Sequence, residues 1–130
     1  MPMKTFINLP VRDLDRAVSF FTALGFSFDA DFTDEKATSM IINEHSYAML
    51  LTEPFFAGFT SKELADATKS TEVITAVSVD SREEVDTFVE KARAAGASHI
   101  GEPFGEGPMY GCGFADPDGH QWEVFYMQMD

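Results

Sequence analysis

The chain has 130 residues, of which 45% are hydrophobic, which is enough for one folded domain with its own core. A formal net charge of −13 would repel nucleic-acid phosphates and anionic lipids, so we expect neither nucleic acid nor a membrane as a partner. We find no apolar run of the roughly 20 residues that cross a bilayer, and we expect no signal peptide. Because the single cysteine, Cys112, excludes an internal disulfide, we predict a cytoplasmic protein.

The first part of the chain predicts a strand, a helix and three further strands. Apolar residues alternate over residues 4–11, as they do in a strand with one buried face. Asp13 is a suitable N-cap for the helix that follows, and Gly25 fits the left-handed conformation that ends many helices. Three short strands separated by polar turns are predicted over 26–31, 37–42 and 46–52.

Residues 53–71 are predicted to be a linker that carries aromatic side chains. Pro54 and Gly58 interrupt this aromatic segment, so we do not expect it to form a regular strand. Thr60 and Glu63 have the spacing of a capping box, which predicts a short helix over 60–67.

The second part of the chain repeats the order of the first. A strand is predicted over 72–79, followed by a helix that begins with a capping box at Ser81 and Glu84 and ends at Gly96. Three more strands are predicted over 98–104, 109–115 and 120–128.

This internal repeat sets the predicted fold class. Residues 6–11 line up with residues 74–79, and each stretch is followed by a capped helix that ends in glycine. We therefore predict an α+β fold built from two βαβββ modules. Module one covers residues 1–52, and module two covers residues 72–130.

The last predicted strand carries one conspicuous carboxylate. It follows the turn Asp116-Pro-Asp-Gly119, in which proline and glycine supply the backbone angles of a tight turn. Beyond the turn, Trp122 and Val124 point to one face and Glu123 and Phe125 to the other. If the first face packs on helices, Glu123 lies among apolar side chains and needs either a partner or a function.

Two stretches of the sequence together carry a family resemblance. The first is Asn8-Leu-Pro-Val-Arg-Asp-Leu-Asp-Arg-Ala-Val-Ser-Phe-Phe-Thr-Ala-Leu-Gly-Phe26, and the second is Asp116-Pro-Asp-Gly-His-Gln-Trp-Glu123. They resemble the opening strand and helix and the closing turn and strand of the vicinal oxygen chelate superfamily. That superfamily includes glyoxalase I, bleomycin-resistance and fosfomycin-resistance proteins and extradiol dioxygenases. The resemblance covers essentially the whole chain and implies two modules whose curved mixed sheets surround a cleft, often in a homodimer.

The resemblance also implies where a metal would bind. In family members with metal chemistry, side chains on the first and last strands of each module hold a divalent ion, which chelates two substrate oxygens. Carried over to this sequence, the positions are Phe6, Ile74, Glu123 and either Ala48 or Met49, depending on the register. Apolar side chains cannot coordinate a hard divalent ion. We therefore expect no metal and no other cofactor.

The leading functional hypothesis is a glyoxalase-like or bleomycin-resistance-like protein that binds a small, mostly apolar or aromatic molecule in the cleft. Glu123 would serve as a general base or a hydrogen-bond acceptor, and Asn8 would orient the ligand. Side chains on several strands would line the remaining surface. The ligand-contacting residues of this hypothesis are Phe6, Asn8, Ile74, Tyr110 and Phe125.

Two alternatives stay open at the level of the sequence. One is a metal-dependent enzyme, similar to a lactoylglutathione lyase or an extradiol dioxygenase, whose ligands come from other positions or from a partner subunit. The other is a stable dimer whose own side chains fill the cleft. Cys112 has no evident neighbouring base or cation, so we expect a small buried residue there and not a nucleophile.

Overall fold

The computed structural model describes residues 3–128. The chain divides into two units, the first ending at Ala65 and the second beginning at Asp66. Each unit has one four-stranded mixed sheet and the element order strand, helix, strand, strand, strand. The prediction of an α+β fold with two βαβββ modules is therefore confirmed. None of the helices within residues 3–128 is long and apolar enough to cross a membrane.

In the first unit, the last strand of the sheet lies beside the first. The elements are β1 (Thr5–Val11), α1 (Leu14–Ala23), β2 (Ser27–Asp29), a 3-10 helix (Ala30–Phe32), β3 (Ala37–Asn43), β4 (Ser46–Thr52) and α2 (Glu53–Ala57). The strand order is β1-β4-β3-β2, with β1 parallel to β4 and the other neighbours antiparallel. The predicted strand over 46–52 is confirmed, and the one over 26–31 is shorter because the 3-10 helix begins at Ala30.

Helix α1 begins where the sequence predicts. The side chain of Asp13 accepts a hydrogen bond from the backbone N–H of Arg16, which satisfies one of the free donors at the helix start. Phe20 and Phe21 on α1 are fully buried, as are Met40 and Leu50 on the sheet. These large apolar side chains form the core of the unit, and their burial fixes which face of the sheet α1 covers.

The prediction of a helix over 60–67 is wrong. The helix of this region is α2, in which Pro54 occupies the first turn, where a missing N–H costs nothing. Thr60 does not cap a helix, because its hydroxyl accepts from the N–H of Lys62, two residues on, and not from Glu63. Helix α2 contacts β1 and β4, so the beginning of the predicted linker packs on the first sheet.

The second unit repeats the arrangement of the first. Its elements are β5 (Ile74–Ser78), α3 (Arg82–Ala95), β6 (His99–Ile100), β7 (Met109–Ala115) and β8 (Gln121–Met127), with the strand order β5-β8-β7-β6. Strand β5 is parallel to β8, and the other pairs are antiparallel. The strand predicted over 109–115 is confirmed. The one predicted over 98–104 ends early, at Ile100, and beyond it only Phe104 forms a bridge, to Gly111.

Both ends of helix α3 are fixed by the predicted residues. Ser81 accepts a hydrogen bond from the N–H of Glu84, and the Glu84 carboxylate accepts in turn from the N–H of Asp80. At the other end Gly96 takes a left-handed conformation with φ of 105°. The buried stripe of α3, which includes Val85 and Val89, packs against the face of β8 that carries the buried Trp122 and Val124.

The turn between β7 and β8 is built around a buried carboxylate. One oxygen of Asp116 accepts from the N–H groups of Asp118 and His120, and the other accepts from the Trp122 indole at 3.2 Å. Burial raises the pKa of Asp116, against the opposing effects of His120 and of the indole hydrogen bond. Gly119 completes the turn with φ of 93°. A Cβ at Gly119 would lie 2.9 Å from the backbone of Ala67, so this turn and residue 67 are in close contact.

Candidate functional site

The face of the first sheet that lies away from α1 carries two of the predicted ligand-contacting residues. The register places Phe6 beside Tyr47 and Asn8 beside Met49. Leu9 and Val11, which alternate with them along β1, are buried on the α1 side. Phe6 is 52% exposed, so this face is open. The structure therefore brings Phe6 and Asn8 together on one surface, as the sequence predicts.

This open face holds a pocket of about 520 Å³. Its lining is mostly apolar and comes from all four strands, from the residue before β1 and from the 3-10 helix. The lining residues are Lys4, Phe6, Asp29, Phe32, Ser39, Tyr47 and Met49. The rings of Phe6 and Tyr47 stack with centroids 4.9 Å apart and planes 13° apart. Two parallel rings of this kind offer a flat surface for another aromatic group.

Three of the lining residues add polarity to the pocket. The ammonium of Lys4 lies 5.9 Å from the ring centroid of Tyr47, at cation–π distance. Asp29 is half-buried on β2, and one of its carboxylate oxygens accepts from the N–H of Asp31 at 3.0 Å. Ser39, which is buried on β3, is the register partner of Asp29. The pocket thus combines an aromatic wall with a few fixed polar groups.

On the second sheet, the face away from α3 carries three more predicted residues. Ile74 pairs with Gln121, Glu123 lies between Ala76 and Gly113, and Phe125 lies between Ser78 and Gly111. Trp122 and Val124, which alternate with Glu123, are buried on the α3 side. The prediction that Glu123 and Phe125 share a face opposite Trp122 is confirmed. Glu123 is half-buried, and its neighbours on both adjacent strands, Ala76 and Gly113, are small.

Tyr110 is not brought to the same face as Glu123. It is the register partner of Tyr126 and lies on the α3 side of the sheet, where its hydroxyl donates to the Asp86 carboxylate at 2.5 Å. The guanidinium carbon of Arg82 lies 5.0 Å from the Tyr110 ring centroid. The hydrogen bond to Asp86 raises the pKa of Tyr110. The geometry gives Tyr110 a contact with α3, so we do not include it in the site.

Cys112 lies on the same side of β7 as Tyr110 and is buried. Its thiol lies within hydrogen-bonding distance of the carbonyl oxygen of Gly101, at 3.3 Å. Burial raises the pKa of Cys112, which disfavours the reactive thiolate. The expectation of a small buried residue at this position is confirmed.

The residues at the positions implied for a metal do not fit a divalent ion. Met49 on β4 is the register partner of Asn8, and Glu123 on β8 is the register partner of Ala76. Met49 therefore holds the position in the first sheet that Glu123 holds in the second, and it faces the open side of its sheet. Ala48, which is the implied metal position in the other register, is buried on the opposite side. Phe6, Ile74 and Met49 offer no oxygen or nitrogen ligand, which leaves the single carboxylate of Glu123. Nowhere in residues 3–128 do three His, Cys, Asp or Glu side chains form a group that could hold a metal.

Several pocket residues were missed at the level of the sequence. Tyr47 alternates with Met49 along β4, and this period-two pattern places both on one face. Asp29, Ser39 and Phe32 had no such signal, because their position depends on β2 and β3 being neighbours in the sheet. Lys4 precedes β1, and its approach to Tyr47 follows from the parallel pairing of β1 with β4.

A comparison with protein families gives one match over most of the chain. The model of the glyoxalase/bleomycin resistance protein/dioxygenase superfamily matches residues 5–124. None of the curated proteins matches the sequence.

Solved structures with a similar fold extend this finding. Hypothetical protein SA1046 from S. aureus has a TM-score of 0.82 at 29% identity, over 97% of this chain and 94% of that one. A glyoxalase/bleomycin resistance protein/dioxygenase family enzyme from Burkholderia phytofirmans PsJN has a TM-score of 0.78 at 19% identity, over 95% and 97%. The fosfomycin resistance protein FosX from Listeria monocytogenes has a TM-score of 0.72 at 18% identity, over 99% and 96%. The likeness to the last two proteins concerns the fold alone.

Proposed function

Because this chain belongs to the glyoxalase/bleomycin resistance protein/dioxygenase superfamily, we propose that it binds a small, mostly apolar or aromatic molecule without the help of a metal ion. The observation that carries the proposal is the pocket on the first sheet, with the stacked rings of Phe6 and Tyr47 at its wall.

The size and chemistry of this pocket suit such a ligand. Its volume of about 520 Å³ lies within the range of roughly 300 to 1,000 Å³ that small-molecule sites occupy. If the protein's own side chains filled the cleft, the pocket would be smaller than this range. The lining is mostly apolar, with a few polar groups that could fix the orientation of a ligand. Asn8, which lies on the same face, is proposed to donate or accept one further hydrogen bond.

The second sheet supplies the proposed catalytic group. Glu123 would act as a general base or as a hydrogen-bond acceptor for a molecule bound on this sheet. Ile74 and Phe125, which share its face, would contact apolar parts of that molecule. The small neighbours Ala76 and Gly113 support this role, because they leave the carboxylate accessible from the open side of the sheet.

A neutral aromatic probe tests the binding proposal. We expect 2-(1-naphthyl)ethanol to shift the backbone NMR signals of Phe6, Ser39, Tyr47 and Met49. Phe6→Ala should weaken its binding about three- to tenfold, because one face of the aromatic stack is lost. Phe59→Ala is the matched control, since Phe59 is also exposed but lies outside the pocket lining. Unchanged signals at these four residues, or equal losses in both variants, would count against the proposal.

Metal analysis separates this proposal from a metal-dependent lyase or dioxygenase. Protein purified without chelators should contain far less than one equivalent of transition metal or magnesium. The Glu123→Gln variant should have the same low metal content as the unchanged protein. Stoichiometric metal that is lost in Glu123→Gln would overturn the proposal in favour of the metal-dependent enzyme.

We also propose that the protein is a cytoplasmic homodimer. The proposal rests on the family resemblance and on the absence of any disulfide-forming pair of cysteines in the sequence. Light scattering coupled to size-exclusion chromatography should give about twice the chain mass of 14.4 kDa. A mass of one chain at micromolar concentration would refute the dimer.

A further inference from the structure

Two rows of side chains cross the open face of the first sheet. The register aligns Phe6, Tyr47, Ile41 and Ser27 in one row and Asn8, Met49, Ser39 and Asp29 in the next. The first row begins with the aromatic stack, and the second ends with a hydroxyl beside a carboxylate. A ligand whose ring lies on the stack therefore has its polar side towards Ser39 and Asp29.

A hydrogen bond to one oxygen holds the Asp29 carboxylate in place, and the other oxygen is available to a ligand. Its first oxygen accepts from the N–H of Asp31, and its backbone carbonyl accepts from the hydroxyl of Thr33 at 2.7 Å. Thr33 in turn shares a hydrogen bond of 2.8 Å with the buried Thr38. Among residues 3–128, no side chain or backbone donor is bonded to the second carboxylate oxygen. Asp29 is thus an oriented acceptor at the wall of the pocket.

The charges around the pocket favour a cation at this acceptor. Lys4 is the one basic residue of the lining, and its ammonium lies over the Tyr47 ring and forms no ion pair with Asp29. The chain as a whole carries a formal net charge of −13, which attracts cations and repels anions at long range. An ammonium group near Asp29 would gain from both the local carboxylate and the overall field.

We infer that the ligand of this pocket is a flat aromatic molecule that bears a protonated amine. The inference rests on the proposed function and adds the chemical class of the ligand. Its ring lies against Phe6 and Tyr47, and its ammonium donates to Asp29 and Ser39. Tyr47 and Asp29 lie two strands apart, about 10 Å across the sheet, and one row apart, about 7 Å along the strands, so their Cα atoms are about 12 Å apart. A bicyclic ring with a two-carbon arm spans this distance together with the two side chains.

Three probes of one shape but different charge test the inference. They are 2-(1-naphthyl)ethylamine, which is a cation at pH 7, the neutral 2-(1-naphthyl)ethanol and the anion 1-naphthylacetate. Titration calorimetry should give the cation a Kd about tenfold lower than the alcohol, as expected for a charge-assisted hydrogen bond. The acetate should bind more weakly than the alcohol. The advantage of the amine should shrink in higher salt.

Variants at matched positions assign the effect to Asp29. Asp29→Asn keeps an oxygen for the Asp31 N–H, so the local turn is preserved, but it should raise the Kd of the amine about tenfold and leave that of the alcohol within about twofold. Asp31→Asn removes the same charge two residues away, outside the lining, and should change neither Kd by more than about twofold. Lys4→Met should leave the amine binding equally or more tightly.

The possible outcomes separate this inference from the proposed function. Equal affinity for all three probes, tighter binding of the acetate, or an amine preference that survives in Asp29→Asn would overturn the inference while the pocket stays a binding site. Failure of all three probes to bind would overturn the proposed function as well. A preference for the amine that is lost in Asp29→Asn and kept in Asp31→Asn would establish the inference.

Discussion

Gly119 should be among the least replaceable residues of the turn between β7 and β8, and a matched pair of variants can measure why. An alanine at φ of 93° costs about 1–2 kcal/mol, because its Cβ approaches the following carbonyl oxygen. In addition, the new Cβ would lie 2.9 Å from backbone atoms of Ala67 and Thr68, which are not flexible side-chain ends. Moving this backbone adds about 1–3 kcal/mol. We expect Gly119→Ala to lower the free energy of unfolding by about 2–5 kcal/mol in total.

Gly96→Ala isolates the conformational part of this cost. Gly96 lies in the same unit with φ of 105°, but a Cβ there would have no atom within 4 Å. Both variants restrict the unfolded chain in the same way, so that contribution cancels between them. Urea denaturation followed by Trp122 fluorescence should give Gly119→Ala a midpoint lower than Gly96→Ala by about 0.5–1.5 M at a similar slope. Equal midpoints would refute the argument that residue 67 closes this turn by direct contact.

Three further predictions concern buried or bonded polar groups of the second unit. Replacing Asp116 by alanine removes the acceptor of two backbone N–H groups and of the Trp122 indole, so unfolding free energy should fall by about 2–4 kcal/mol in urea titrations; a loss below about 1 kcal/mol would contradict it. The raised pKa of Tyr110 means that its stabilising contribution is complete below pH 10 and is lost as the pH rises through the folded pKa. Absorbance at 295 nm should therefore show one tyrosine that ionises with a midpoint above pH 10, and this transition should be missing in Tyr110→Phe. A midpoint of this transition at or below pH 10 would argue against the hydrogen bond to Asp86. Burial and the raised pKa of Cys112 predict that a thiol reagent reacts with it slowly in native buffer and quickly in urea, and equal rates would show that the thiol is accessible.

Local sequence signals predicted the caps and most strands because each depends on a few neighbouring residues. Asp13 and Ser81 cap α1 and α3 as predicted, since an N-cap needs only a short acceptor side chain and a free N–H two or three residues on. The capping-box pattern at Thr60 failed because the helix formed earlier, over Glu53–Ala57, and the Thr60 hydroxyl bonded within a tight turn. Local chemistry therefore has to be weighed against competing turns nearby.

The candidate site was harder to predict because it depends on register between distant strands. Alternation along β8 was enough to place Glu123 and Phe125 on one face, since Trp122 marks the buried side. On β7, glycines at 111 and 113 remove that contrast, so the sequence offered no means to tell that Tyr110 faces α3. The contribution of Asp29 required β2 to lie beside β3, which a single sequence does not specify.

The pairing of the first strand with the last in each sheet has a consequence for synthesis on the ribosome. Thr5 pairs with Ser46 and Ile74 with Gln121, so β1 and β5 must wait for most of their own unit to be translated before they find a partner. Strand pairing over such separations is slow compared with helix formation. The first sheet can nevertheless be complete once β4 has left the exit tunnel, while the second is still being made. The nascent chain would then hold only one first strand without its partner at a time, which limits the opportunity for misassembly between the two similar halves.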